Sequence, residues 1–218
     1  MVDAIGLSKR YGRGAAALEA LVDVSFSARP GEFVVVNGPS GCGKSTLLMA
    51  LGGMLRPTRG SVTVNGTDVY GATNAERAAF RAAAIGFVFQ MFHLVPYLSV
   101  LDNVLLASRG ARRARADALV ESVGLADRQG HRPAQLSAGE RQRAAIARAL
   151  VNEPPVVLAD EPTGSLDPEN ETAVLDLLAS YHGAGGTVVL VTHGAAALSY
   201  CDRNVRIVAG RIESDETQ

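Results

Sequence analysis

Residues 38–46 of the sequence, Gly-Pro-Ser-Gly-Cys-Gly-Lys-Ser-Thr, have the spacing of a phosphate-binding loop. Glycines in such a loop let consecutive backbone N–H groups curl around an oxyanion, and the following helix adds its positive N-terminus. Lys44 would reach the terminal phosphates, and Ser45 would hold Mg²⁺. We therefore predict a nucleotide site that uses Gly38, Pro39, Ser40, Gly41, Cys42, Gly43, Lys44, Ser45 and Thr46.

Two acidic residues, Asp160 and Glu161, follow a second apolar run, Val156–Ala159. A carboxylate there can hold Mg²⁺ directly or through water, and the next one can orient or deprotonate a water molecule. Taken alone, such a pair is more often a solvated turn or a helix cap. The phosphate loop reverses those odds, and we predict that the pair is functional.

Gln90 and His193 also come directly after predicted strands, Gly86–Phe89 and Thr187–Thr192. Ligands bind at the carboxyl ends of the strands in open parallel sheets. If the sheet is parallel, both side chains face the same crevice as the phosphate loop. His193 alone would more often be structural, whereas a neutral histidine near a γ-phosphate would sense it.

The segment Leu136–Glu140 precedes a predicted helix and has the Ser-x-x-Glu pattern of a capping box. A capping box alone would account for this pattern without any functional role. A helix N-terminus that carries Ser137 and Gly139 is also a second anion site. Because one domain does not need two phosphate sites for one nucleotide, the second would serve the nucleotide of another subunit.

Strands that alternate with helices predict an α/β fold with a mostly parallel sheet covered on both faces. The first third is predicted as strands and turns, and a helical block from about Phe92 to Asn152 is predicted as an insertion. An edge hairpin, Val205–Ile212, is expected to precede a frayed acidic tail. The predicted helices are Ala114–Val123, Gln142–Val151 and Glu169–Tyr181.

The composition is that of an ordinary globular chain of 218 residues, with 47% hydrophobic and 20% charged residues. The balance of 21 basic and 22 acidic residues argues against a nucleic-acid partner. We interpret the arginines at 109, 112, 113 and 115 as a solvated helix face rather than a binding patch. No apolar run is long enough to span a membrane, and the first residues lack a secretory signal, so we expect a soluble intracellular protein.

These motifs together resemble the nucleotide-binding subunit of an ATP-binding-cassette transporter, and the match covers nearly the whole chain. Tyr11 falls at the position of the adenine-stacking aromatic residue, although it could equally be a surface aromatic in a polar loop. The remaining matches are Gly38–Thr46 to Walker A, Gln90 to the Q-loop, Leu136–Glu140 to the signature, Val156–Glu161 to Walker B, Ser165–Asp167 to the D-loop and His193 to the switch histidine.

The resemblance implies a P-loop NTPase fold with an antiparallel β subdomain and an inserted helical subdomain. It implies one domain over 1–218, with the core in 1–90 and 154–218 and the signature subdomain in 91–153. ATP and Mg²⁺ are the implied cofactors, and the subunits would dimerise head to tail. The implied roles are phosphate binding by Lys44, Mg²⁺ binding by Ser45, Gln90 and Asp160, general base for Glu161, γ-phosphate stabilisation by His193, and action in trans for Ser137 and Gly139.

Ala20–Phe26 and Phe87–Pro96 resemble one branch, the ATPases of lipoprotein release, macrolide and peptide export, and the cell-division cassette. This resemblance implies a cytoplasmic subunit on the inner face of the membrane, bound there to a separate permease. The segment Met91–Leu98 is unusually apolar and is either ordinary core of the helical insertion or a partly exposed partner surface. We expect the second, with the permease docked near Gln90–Leu98. Phe92 is expected to be an exposed member of that docking segment. The alternative is a cassette that drives a cell-division or cell-wall machine without moving a solute. A DNA-repair or translation cassette usually has long coiled-coil insertions or tandem cassettes, which this chain lacks.

One departure from the family pattern concerns Ala138, where the signature usually has glycine. If its φ angle must be positive, the Cβ atom would weaken the contact in trans. If Ala138 is the first helical residue, alanine is harmless.

Overall fold

The computed structural model describes residues 1–12, 14, 17–108, 110 and 113–218, which contain a six-stranded and a four-stranded β-sheet. The strands are β1 (Val2–Tyr11), β2 (Leu18–Ala28), β3 (Phe33–Asn37), β4 (Arg59–Val64), β5 (Thr67–Asp68), β6 (Ile85–Phe89), β7 (Val156–Asp160), β8 (Thr187–Thr192), β9 (Arg203–Val208) and β10 (Arg211–Thr217). The α-helices are α1 (Lys44–Leu51), α2 (Asn74–Ala84), α3 (Val100–Ala107), α4 (Arg113–Ser122), α5 (Ala138–Leu150) and α6 (Pro168–Gly183).

The larger sheet has the strand order β10-β9-β3-β8-β7-β6, and only the edge strand β10 is antiparallel to its neighbour. The predicted mostly parallel sheet is therefore confirmed. Its register aligns the strand ends, since Asn37 pairs with Thr192, and Asp160 pairs with both Val191 and Phe89. The segments that follow four different strands consequently meet at one edge of the sheet.

The smaller sheet, in the order β2-β1-β4-β5, is antiparallel throughout. Helix α1 lies between the two sheets, and its Leu47, Leu48 and Leu51 are fully buried in their shared core. Helix α6 covers the opposite face of the larger sheet through Val174, Leu175 and Leu178. The helices α3, α4 and α5 surround an apolar cluster of their own. None of the described helices is long and apolar enough to cross a membrane.

Three expectations about local structure were wrong. No helix was predicted between the helix of the phosphate loop and Phe92, yet α2 lies there, and Thr73 caps it through a capping box with Glu76. Tyr11 is the last residue of β1 rather than part of a polar loop. The acidic tail is ordered in β10 because Arg203, on β9, binds Asp215 through two hydrogen bonds of 2.6 and 3.1 Å.

Candidate active site

A cleft of about 580 Å³ opens at the carboxyl edge of the larger sheet. Four segments that follow strands of the larger sheet meet there, as the strand register requires, and the smaller sheet contributes a fifth from β1 and β2. The residues that line it are Tyr11, Leu18, Ala20, Ser40, Gly41, Gly43, Lys44, Ser45, Thr46, Gln90, Glu161 and His193. All except Leu18 and Ala20 were candidate site residues from the sequence.

The loop between β3 and α1 depends on glycine at two positions. Gly43, with φ of 108°, directly precedes α1, and a Cβ atom there would lie 2.2 Å from the carbonyl oxygen of Ala20. Gly38 has φ of 147°, and its Cβ atom would lie 2.0 Å from the carbonyl oxygen of Ile207. Both positions exclude side chains by conformation and by contact. The loop can therefore direct the N-terminal N–H groups of α1 toward an anion in the cleft.

Lys44 is the first residue of α1, and its side chain is only 6% exposed. Its ammonium donates to the carbonyl oxygens of Gly38 and Pro39 at 2.8 and 3.1 Å, and lies 3.9 Å from Oε1 of Glu161. These contacts hold a compact cation at the loop, where it can bind a terminal phosphate.

The hydroxyl of Ser45 donates a hydrogen bond of 2.8 Å to Oδ1 of Asp160, and this bond joins α1 to the end of β7. Burial raises the pKa of Asp160, although the hydrogen bond from Ser45 opposes the shift. A hydroxyl and a carboxylate are oxygen donors suited to Mg²⁺, which typically takes one or two carboxylates and completes its shell with substrate phosphates and water. The described residues contain no cluster of three His, Cys, Asp or Glu side chains able to hold a metal.

Glu161 directly follows β7 and has a left-handed backbone, with φ of 45°. Its N–H donates to the carbonyl oxygen of Val191 at 2.9 Å, which fixes this uncommon conformation. Oε2 of its carboxylate is hydrogen-bonded to Nδ1 of His193, and Oε1 faces the ammonium of Lys44. The structure thus places a partly buried carboxylate, held on both sides, beside the phosphate loop.

Sequence reasoning missed Leu18 as a residue of the cleft. Leu18 is 66% exposed and pairs across the strands with Tyr11, which is 40% exposed. Two adjacent exposed side chains with large apolar areas at a cleft edge offer a surface on which a nucleotide base could stack. The sequence signal was weak, because an isolated exposed leucine is ordinary in any protein.

Ser137 and Gly139 lie elsewhere, at the start of α5, and do not line this cleft. The predicted capping box is present, since Ser137 Oγ accepts from the N–H of Glu140 at 3.2 Å and Glu140 Oε2 accepts from the N–H of Ser137 at 2.8 Å. Ala138 is the first helical residue and is not among the described residues with positive φ. Its Cβ atom therefore causes no backbone strain.

The arginine cluster differs in part from its predicted solvated face. Arg109 and Arg112 lie outside the described residues. Arg113 lies on such a face and contacts Asp117, four residues further along α4, at 3.8 Å. Arg115 is instead attached to the end of α5, where it contacts Glu153 at 2.5 Å and donates to the carbonyl oxygen of Val151.

Phe92 is half-buried, so the expectation that it is exposed was wrong. Its ring lies 5.3 Å from the guanidinium of Arg141, and its carbonyl oxygen accepts from Arg148 at 2.7 Å. Other members of the same segment are more accessible, because Met91 and Tyr97 are each 72% exposed.

Comparison with protein families matches residues 21–164 to the model described as ABC transporter. An uncharacterized ABC transporter ATP-binding protein of Methanocaldococcus jannaschii is 43% identical, with 97% of each chain covered. The lipoprotein-releasing system ATP-binding protein LolD of Geobacter metallireducens is 44% identical, with 99% of each covered. The macrolide export ATP-binding/permease protein MacB 1/2 of Paracoccus denitrificans is 45% identical, but the chain spans only 32% of its length.

Among solved structures, the ATP-binding cassette MJ0796, described as a dimeric post-hydrolysis state bound to ADP and Pi, superposes with a TM-score of 0.92. It is 37% identical, and the alignment covers 100% of this chain and 98% of that one. The fold, the geometry of the cleft and these near-complete alignments agree. The chain belongs to the ABC transporter family, as an ATP-binding subunit that hydrolyses ATP.

Proposed function

We propose that this subunit works as an ATP-dependent homodimer that powers a separate membrane permease, for export, for extraction of lipids or lipoproteins, or for mechanotransmission. The subunit would lie on the cytoplasmic face of the membrane, held there by the permease. The alternative is a cassette that drives a cell-division or cell-wall machine without moving a solute. The similarity to LolD and MacB supports the first of these.

The observation that carries the dimer is the separation of the two predicted anion sites. The phosphate loop lines the cleft, whereas the helix start at Ser137–Gly139 does not. A head-to-tail pair would bring the signature of one copy against the cleft of the other. Each nucleotide would then be held between two copies, and its γ-phosphate would hold the pair together.

The hydrolytic step follows from the positions of the cleft residues. Lys44 and the N–H groups at the start of α1 bind and orient the phosphates, which is the main requirement of phosphoryl transfer. Ser45, Gln90 and Asp160 would hold Mg²⁺, which neutralises phosphate charge when bound. Glu161 acts as the base that orients and deprotonates the attacking water, while His193 keeps its carboxylate in place and faces the γ-phosphate.

The experiment that tests this function uses Glu161→Gln, which keeps the size of the side chain and removes its basicity. We expect hydrolysis to fall by about 10²–10⁴-fold, because a general base is lost. ATP binding should persist, since the phosphate loop is unchanged. Gel filtration with Mg-ATP should therefore show a stable dimer that the wild type does not accumulate.

Adding Ser137→Arg to this variant should abolish the dimer, because a bulky side chain would occupy the place of the phosphate. Ser40 lines the cleft of its own subunit, so Ser40→Arg would disturb ATP binding directly and is not a suitable control. A Glu161→Gln protein that binds ATP but stays monomeric would contradict the sandwich model. Hydrolysis at the wild-type rate would remove Glu161 from its proposed role.

The docking site for the permease is proposed in the groove beside Gln90–Leu98. A groove of about 480 Å³ opens beside His93, and the stacked rings of Phe87 and Phe89 are part of its lining. Arg81 and Arg148 also line it. An amphipathic cytoplasmic segment of a permease, apolar on one side and acidic at its edges, would complement this groove.

Met54→Asp, in the groove, and Met91→Asp, in the adjoining segment, test this docking site, because both side chains are exposed. Each should abolish co-purification of the membrane partner while ATP affinity remains within twofold of the wild type. Ile5→Asp is the matched control, because Ile5 is also exposed, at 67%, but lies on β1. Normal assembly by both docking variants would refute the location. Identification of the co-purified membrane protein would distinguish a permease from a division or wall machine.

A further inference from the structure

The start of α5 and the start of α6 touch at one close contact, between Gly139 and Asn170. A Cβ atom on Gly139 would lie 1.9 Å from Oδ1 of Asn170 and 2.3 Å from its Cγ. Since no side chain can occupy that space, the amide of Asn170 fills it instead. Gly139 thus has a structural reason to be glycine that is separate from any contact with phosphate.

The side-chain amide of Asn170 is hydrogen-bonded at both ends. Its Oδ1 accepts from Nη1 of Arg143, on α5, at 3.0 Å. Its Nδ2 donates to Oδ2 of Asp167 at 2.8 Å, and its backbone N–H donates to Oδ1 of the same carboxylate at 2.9 Å. The amide therefore connects the signature helix to Asp167, the N-cap of α6 and the last residue of the D-loop segment.

The orientation of this amide is fixed by the chemistry of its two partners. A guanidinium only donates, and an ionised carboxylate only accepts, so a flipped amide would lose both bonds. Asp167 is ionised at neutral pH, and the hydrogen bonds from Asn170 lower its pKa further below the ordinary value. The bridge therefore accepts only a side chain with one donor and one acceptor at these two places.

We propose that Asn170 is a positioning residue that holds the signature, Ser137–Gly139, in a fixed place relative to the D-loop, Ser165–Asp167, for presentation to the ATP of a second copy. This inference rests on the proposed sandwich dimer. The close contact prevents the two helix starts from sliding, and the two hydrogen bonds set their angle. A displacement of about 1 Å in such a positioning contact can cost about 10²-fold in rate.

Asn170→Asp, made in the Glu161→Gln background, is the test. Aspartate keeps the shape and the acceptor for Arg143, but it replaces the donor to Asp167 by a second negative charge. We expect unchanged ATP affinity of the monomer and a dimer that requires at least about tenfold more protein to form, measured by gel filtration with Mg-ATP. If Asn170 only fills space, the isosteric variant should dimerise as its parent does.

Asn74→Asp is the matched control, because Asn74 also begins a helix and accepts from an arginine, Arg77, at 2.6 Å. It should leave dimerisation unchanged. Arg143→Met removes the same bridge from the α5 side, and it should likewise weaken the dimer without changing the ATP affinity of the monomer. Thermal unfolding of each variant shows whether it is folded.

Two results would overturn the proposal. The first is dimerisation of folded Asn170→Asp at the same protein concentration as the parent. The second is a loss of ATP affinity in the monomer as large as the loss of dimerisation. The second would show that Asn170 acts on its own cleft. If the parent Glu161→Gln protein itself stays monomeric, the sandwich dimer fails rather than the role of Asn170. The parent measurement therefore separates the two failures.

Discussion

Oε2 of Glu161 lies 2.9 Å from Nδ1 of His193 and also faces the backbone N–H of His193 at 3.3 Å. One residue thus holds the carboxylate through both its ring and its main chain. The histidine side chain is 66% exposed, whereas that of the glutamate is only 15% exposed. The ring therefore covers the carboxylate from the solvent side and depends little on the protein core.

That difference in exposure predicts that His193→Ala changes activity without changing stability. We expect hydrolysis to fall by on the order of 10²-fold, because the carboxylate loses its orienting partner. The free energy of unfolding should stay within about 0.5 kcal/mol of the wild type. His182→Ala is the matched control and should show the opposite pattern, since His182 binds Asp202 and Gly31 away from the cleft. Equal rates for the two variants would contradict the assignment.

Asp160→Asn should have opposite effects on stability, which should rise, and on hydrolysis, which should fall. Folding raises the pKa of Asp160 above its ordinary value of 3.8, so the folded state binds this proton more tightly than the unfolded state. The stabilisation that this group contributes is therefore lost as the pH rises from its pKa in the unfolded state through its higher pKa in the folded state. Asparagine avoids the cost of the buried charge and should raise the thermal unfolding temperature of the nucleotide-free protein at pH 7.

The same substitution should lower Mg²⁺-dependent hydrolysis by at least about 10–100-fold, because a proposed Mg²⁺ ligand is lost. Its oxygen can still accept from Ser45, which keeps the loop in place. The measurements are thermal unfolding without nucleotide and ATPase rates across a Mg²⁺ titration. An Asp160→Asn protein with normal Mg²⁺ dependence would exclude this residue from the metal site.

Gly43→Ala should destabilise the protein and abolish ATP binding, since its Cβ atom cannot fit beside Ala20. Gly41→Ala is the matched control: its φ is 77°, but a Cβ atom there would meet nothing within 4 Å. We expect about 1–2 kcal/mol for Gly41→Ala, from backbone strain alone, and a larger loss for Gly43→Ala. Urea unfolding measures both, and equal losses would refute the contact argument.

Tyr11→Ala should weaken ATP binding about 5–150-fold if the tyrosine stacks on the base, as about 1–3 kcal/mol per stacked base implies. Affinity for inorganic pyrophosphate should not change, because pyrophosphate has no base. Tyr11→Phe should preserve ATP affinity, and the exposed Tyr97 provides the control alanine variant. An equal loss of affinity for both ligands would assign Tyr11 to the phosphate loop's structure instead.

Ala138→Gly restores the usual family residue, yet we expect no more than a twofold change in hydrolysis. Ala138 is the first residue of α5, where a Cβ atom causes no strain. Glycine would instead lower the stability of the helix by at most about 1 kcal/mol. Steady-state rates and thermal unfolding check both values, and a severalfold increase in rate would show that Ala138 obstructs the signature.

The sequence was sufficient to predict the parallel sheet and most of the cleft, because local patterns determine both. The glycine spacing of 38–46 and the polar residues after apolar runs do not depend on distant contacts. Helix α2 had a visible signal as well, in the capping box of Thr73 and Glu76, but no helix was predicted in that part of the sequence.

Other features depended on contacts between distant segments. Strand β1 lacks a clear alternation of apolar and polar residues. Its pairing with β2 shifts register at several points, and Gly6 has φ of 59°. The tail looked solvated until Arg203 and Arg206 on β9 proved to pair with Asp215 and Glu213. The contact of Gly139 with Asn170 joins residues 31 positions apart, and no spacing rule relates them.

Lys9 and Lys44 are the only lysines of the sequence, and both ammonium groups are engaged by backbone carbonyls. Amine-acylating reagents therefore meet very few targets on this chain besides the terminal amine. Immobilisation through amines would attach the protein through the terminal amine, through Lys9 on β1 or through Lys44, and the last would damage the phosphate loop itself. Because the chain has so few lysines, protection of Lys44 from acylation would report nucleotide occupancy. Mass spectrometry would detect this protection with little signal from other amines.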